Sequence, residues 1–137
     1  MDNHAYVLED LSGKYTPAEW ATAALGAYDR YKADRIVAEV NQGGDMVEHT
    51  LRTFNDKVAY KAVHASRGKT ARAEPIAALD SQGRIHHAGI FGALEDQMCR
   101  FIAGNKDSPD RVDARVWAMT ELMLNKPHGD GPRVWGG

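Results

Sequence analysis

Residues 36–47 read IVAEVNQGGDMV, and the fold turns on how this stretch is understood. An apolar run carries one carboxylate, Glu39, near its end, then breaks into Asn41-Gln42-Gly43-Gly44-Asp45. A short continuous apolar run is the pattern of a strand covered on both faces. Gly43 and Gly44 suit a positive-φ turn after it. The stretch therefore predicts a buried strand that delivers a carboxylate to its end. Strand ends are where sites collect in covered α/β sheets.

Outward from this strand, the pattern alternates. Upstream, TPAEWATAALGAYDRYKA (16–33) is a helix. Thr16 caps it, Pro17 takes the first position, and Glu19 has capping-box spacing. Trp20, Ala24, Ala27, Tyr28 and Tyr31 recur at helical spacing. Before it, AYVLEDLSG (5–13) reads as a strand entering a turn. Downstream, 44–54 is a second helix with Met46, Val47, Leu51 and Phe54 inward, and VAYKAVHA (58–65) is a third strand. Residues 66–83 hold a basic loop and a helix that ends near Gly83, with Pro75 breaking it or opening its main part. RIHHAGI (84–90) is a short strand, and 93–104 and 108–124 are two further helices. Strands alternating with helices predict an α/β sheet covered on both faces. The Gly- and Pro-rich residues 125–137 read as a loose tail after a single domain over 1–124.

Composition bounds the function. The 137 residues fit one domain, 43% hydrophobic and 26% charged. A net charge of −2 offers no global basic field, although a local patch suffices for nucleic acid. A single cysteine, Cys99, excludes a disulfide framework and a multi-cysteine zinc site, and makes a reducing cytoplasm the default. No apolar run reaches the roughly 20 residues of a membrane span, and the N-terminus lacks a signal-peptide pattern.

Three groups of residues could carry chemistry. Glu39 ends a strand, while Asp110 and Asp113 fall one helical turn apart in the first turn of the last helix. Carboxylates from separate elements can hold Mg²⁺ or Mn²⁺. Two such ions can clamp an in-line displacement at phosphorus. Helix starts also favour Asp through the dipole and capping, and that reading stands beside the metal one. In SRGKTAR (66–72), Gly68-Lys69-Thr70 resembles the end of a phosphate loop, but the glycine needed five residues earlier is Val63. Arg67, Lys69 and Arg72 remain as a basic cluster beside His64, either meeting a nucleic-acid backbone or forming a solvated helix start. His86 and His87 are adjacent on a strand and so point to opposite faces. Trp117, like Trp20 and Tyr28, reads most simply as core.

With Glu39, Asp110 and Asp113 in place, the chain resembles the C-terminal nuclease domain of the large terminase subunit of tailed bacteriophages. The matching segments are YVLEDLSGKYTPAEWA, ADRIVAEVNQGGDMV, AVHASRGKTARAEPIAAL, GRIHHAGIFGALEDQM and SPDRVDARVWAMTELM, in the family's order over about residues 5 to 124. The resemblance implies a ribonuclease-H-like α/β fold, a mixed sheet flanked by helices. It implies a metal-dependent endonuclease that cuts concatemeric double-stranded DNA, with two ions of Mg²⁺ or Mn²⁺. It further implies Glu39 as the second of three acidic metal ligands. The third falls on Asp110, with Asp113 close behind. Arg67, Lys69 and Arg72 would meet DNA. Partners would be DNA, the terminase small subunit and the portal, in the cytoplasm of a bacterial host and encoded by a phage or prophage.

One departure matters. The family's first acidic residue lies on a strand upstream of YVLED, and neither Asp2 nor Asp10 matches it. The expectation is a shortened nuclease domain lacking its first strands and the motor ATPase, with exposed sheet edges that favour a homo-oligomer. The alternative is an inactive remnant that binds DNA or packaging subunits.

Overall fold

A computed structural model describes residues 4–40, 45–64, 68–102 and 110–124. The elements follow the alternation: β1 (Ala5–Val7), α1 (Pro17–Arg30), β2 (Ile36–Glu39), α2 (Asp45–Phe54), β3 (Tyr60–Val63), α3 (Lys69–Ser81), β4 (Ile85–His87), α4 (Gly92–Ile102) and α5 (Asp110–Met119). A π-helical turn, Thr120–Leu124, extends α5.

Local chemistry accounts for most boundaries. The Glu19 amide donates to Thr16 Oγ1 at 3.2 Å, and the Thr16 amide donates to Glu19 Oε1 at 2.9 Å, so the capping box forms as read. At the end of α3, Gly83 takes φ +69°, and the amides of Gly83 and Arg84 close onto Asp80 and Leu79 carbonyls. Pro75 neither breaks α3 nor starts it; it lies inside a continuous helix. Two buried anchors that follow it, Ile76 and Leu79, offset the missing amide by packing into the core. The turn 41–44, with both glycines, lies outside the described residues, as does the tail.

The strands form two parallel ladders rather than one continuous sheet. β1 pairs with β4, setting Ala5 opposite Ile85 and Val7 opposite His87. β2 pairs with β3, setting Ile36 opposite Tyr60 and Glu39 opposite Val63. Among the described residues, β1 and β2 each keep one edge without a ladder partner. A cleft of about 420 Å³ lies between these two strands, with α5 along it. Val7, Val37, Ala38, Ala114 and Ala118 line it, and so do Glu39, Asp110 and Asp113.

Two cores support this frame. One joins Ala5, Ile76, Leu79, Ile85, Val112, Val116 and Met119 from β1, α3, β4 and α5. The other joins Ala21, Leu25, Leu51 and Val58, with Trp20 and Tyr28 packed against it. In α2, Val47 and Leu51 face α1 as expected, but Met46 (73% exposed) and Phe54 (54%) do not. Met46 stands five positions before Leu51 and so falls off its helical face, and Phe54 is the helix's last residue.

Buried charge knits the layers. Glu121, in the π-turn, accepts from Arg35 at 2.7 Å and from Lys61 at 2.6 Å, tying β2 and β3 to the end of α5. Arg115 forks onto Asp80 at 3.0 and 2.6 Å and donates to His87 Nε2 at 3.2 Å. Arginine can only donate, so Nε2 accepts and the other ring nitrogen carries the proton to Glu95 at 2.9 Å. His86 points the opposite way and stacks with His4 and Tyr6, as alternation along a strand requires.

Candidate metal and nucleic-acid site

The buried stripe of α5 runs Val112, Val116, Met119. One step round the helix lie Asp113 and Trp117, an i,i+4 pair, with Asp110 a turn earlier. β2 brings Glu39 to this flank at its last residue. α3 brings Lys69 and Arg72, an i,i+3 pair on one helical face, from the other side.

The result is a closed ring of contacts. The Trp117 indole N–H donates to Glu39 Oε1 at 2.6 Å. Arg72 donates to Asp113 Oδ1 at 2.8 Å, lies 3.9 Å from Glu39 Oε1, and stacks its guanidinium 4.8 Å from the Trp117 ring centroid. Lys69 Nζ stands 3.8 Å from Asp113 Oδ2. Arg72 thus bridges Glu39 and Asp113, which line the same cleft. Asp110 is exposed and lines the same cleft, one turn away.

A family model described as a terminase RNaseH-like domain matches residues 2–125. The chain belongs to that family. No curated protein and no solved structure gave a significant match.

In this terminase domain, the two central carboxylates titrate apart. Trp117's hydrogen bond, with the neighbouring Asp113 and the Arg72 and Lys69 charges, holds Glu39 below its ordinary value, against partial burial. Burial, together with the neighbouring Glu39, pushes Asp113 up despite Arg72.

The residues expected from the sequence are thus partly assembled. Glu39 and Asp113 meet, and Asp110 flanks them. Arg72 turns inward to the acids, only 10% exposed, while Lys69 is 42% exposed at the rim. His64 is exposed after β3. Arg67 lies outside the described residues. Trp117 is not simply core: it orients Glu39 and carries Arg72. The signal was present in the sequence as the i,i+4 spacing of Asp113 and Trp117, but a tryptophan at helical spacing is more often a packing residue.

Proposed function

We propose that this terminase domain is a divalent-cation-dependent endonuclease that cuts concatemeric double-stranded DNA during bacteriophage genome packaging. The observation that carries the reading is the meeting of Glu39 and Asp113. They come from a strand end and a helix start far apart in sequence and line one open cleft. Two carboxylates held this near repel each other without a cationic partner, and this pairing has Arg72 and Lys69 around it.

The donor set is oxygen-only, which suits a hard cation such as Mg²⁺ or Mn²⁺ better than zinc. Glu39 and Asp113 would hold the ion, with Asp110 lining the same cleft one turn earlier on α5. When bound, such a cation polarises the scissile phosphate and makes an attacking water more acidic. Trp117 keeps the Glu39 carboxylate oriented. Lys69, half-exposed at the rim, meets the DNA backbone together with Arg67. Phosphate contacts of this kind position DNA without reading its sequence. The packaging small subunit and portal are the expected protein partners.

Plasmid nicking by the chain in Mn²⁺, beside Glu39→Ala and an EDTA control, tests the reading. Cleavage that requires both the ion and Glu39 supports it. A second reading has its own support: no group of three or more potential ligands of the His, Cys, Asp or Glu type forms among the described residues. The facing edges of β1 and β2 also lack partners there. On that reading the domain binds DNA or packaging subunits without cutting. Absent cleavage with an intact circular-dichroism spectrum and retained DNA binding selects it.

A further inference from the structure

Arg72 holds an unusual position for a residue expected to contact DNA. Its guanidinium is nearly buried, hydrogen-bonded to Asp113 Oδ1, and within ion-pair range of Glu39. Its flat face rests on Trp117, whose N–H grips the other carboxylate. Four side chains from β2, α3 and α5 are therefore linked in one circuit. A guanidinium held this way is preorganised: its plane is fixed by the ring, and its N–H groups are aimed at carboxylate oxygens.

The same geometry sets a conflict. A hard divalent cation bound by Glu39 and Asp113 needs the carboxylate oxygens that Arg72 now engages. Two positive groups cannot share Asp113 Oδ1 at contact distance without repelling each other.

We propose that Arg72 is a positioning residue that acts as a displaceable counter-ion of the Glu39–Asp113 pair. It holds the two acids in register and yields Asp113 Oδ1 when a divalent cation enters. The inference rests on the divalent-cation reading of the site given above. Its consequence runs against intuition: removing a well-placed arginine improves ion binding. Such a gain cannot arise from damage to the fold, which only weakens a site.

The test is Mn²⁺ binding to the chain, followed by the electron paramagnetic resonance signal of free Mn²⁺, for wild type, Arg72→Gln, Arg72→Met, Arg72→Lys and Glu39→Gln. Arg72→Gln keeps a donor for Asp113 without the charge, and Arg72→Met keeps the apolar stem over Trp117. The expected result is Mn²⁺ affinity about tenfold tighter in whichever of these two charge-free variants retains the wild-type circular-dichroism spectrum, with Arg72→Lys within about threefold of wild type. Equal or weaker affinity in folded Arg72→Gln or Arg72→Met, with wild-type binding that depends on Glu39, overturns the inference and leaves the functional reading standing. Equal tightening in Arg72→Lys also overturns it, because charge would then not be the cause. Mn²⁺ binding that is absent, or indifferent to Glu39→Gln, overturns both.

Discussion

The indole N–H of Trp117 donates to Glu39 Oε1 at 2.6 Å, joining the exposed flank of α5 to the last residue of β2. This bond stabilises the charged form of Glu39 and fixes where its oxygens point. Trp117→Phe keeps the ring under Arg72 but removes the donor. The expected outcome is a higher Glu39 pKa, read by carboxyl-resolved NMR titration, with Mn²⁺ affinity lower by about tenfold, as for other partners that orient a metal ligand. An unchanged Glu39 titration would show that the bond does not matter in solution.

Asp113 and Asp110 share a helical turn but not an environment. Asp113 accepts from Arg72, which also lies beside Glu39, whereas Asp110 is exposed at the helix start. Asp113→Asn is expected to remove Mn²⁺ binding, and Asp110→Asn to weaken it by no more than about tenfold. Calorimetric titration of both variants decides the order, and a larger loss in Asp110→Asn would reverse the assignment.

Glu121 couples its ionisation to stability, because it is buried against two cations. Burial alone would raise its pKa, but hydrogen bonds and charge from Lys61 and Arg35 outweigh it and lower the value below 4.5. A lowered carboxyl pKa means the unfolded chain binds the proton more readily, so the contribution is present above 4.5 and is lost as pH falls through the folded value. Glu121→Gln should cost about 2–3 kcal/mol at neutral pH, with a gap to wild type that narrows in acid. Urea unfolding at neutral and acidic pH measures both quantities, and a gap independent of pH would show that the cost is packing alone.

Pro75 lies inside the continuous helix α3. It provides no amide for the Ala71 carbonyl, a defect that costs about 3 kcal/mol in a typical helix interior. Restoring the amide is opposed by about 0.4–1 kcal/mol of regained freedom in the unfolded chain. Pro75→Ala is therefore expected to stabilise the domain by about 2 kcal/mol, visible as a higher denaturant midpoint with unchanged slope. A lower midpoint would mean that the proline's own packing outweighs the missing bond.

The sequence by itself determined the elements and their order. Thr16, Pro17 and Glu19 start α1 because capping acts within one turn. The apolar run ending at Glu39 makes β2 because its alternatives would bury polar backbone. Gly83 closes α3 because only a residue tolerant of positive φ fits there. These causes reach a few residues along the chain and can be read there, and so could the placing of a carboxylate at the end of β2. The family's segments could be recognised for the same reason.

The tertiary structure alone decided what those elements bring together. It chose Asp113 over Asp110 as the neighbour of Glu39, turned Arg72 inward, and took Trp117 from the core to the site. It also separated the strands into two ladders flanking a cleft and left Met46 and Phe54 outside the packed face of α2. Each of these outcomes depends on contacts between residues distant in sequence, where the angle at which α5 meets β2 and α3 selects one helical flank over another. No local pattern of spacing or charge carries that angle.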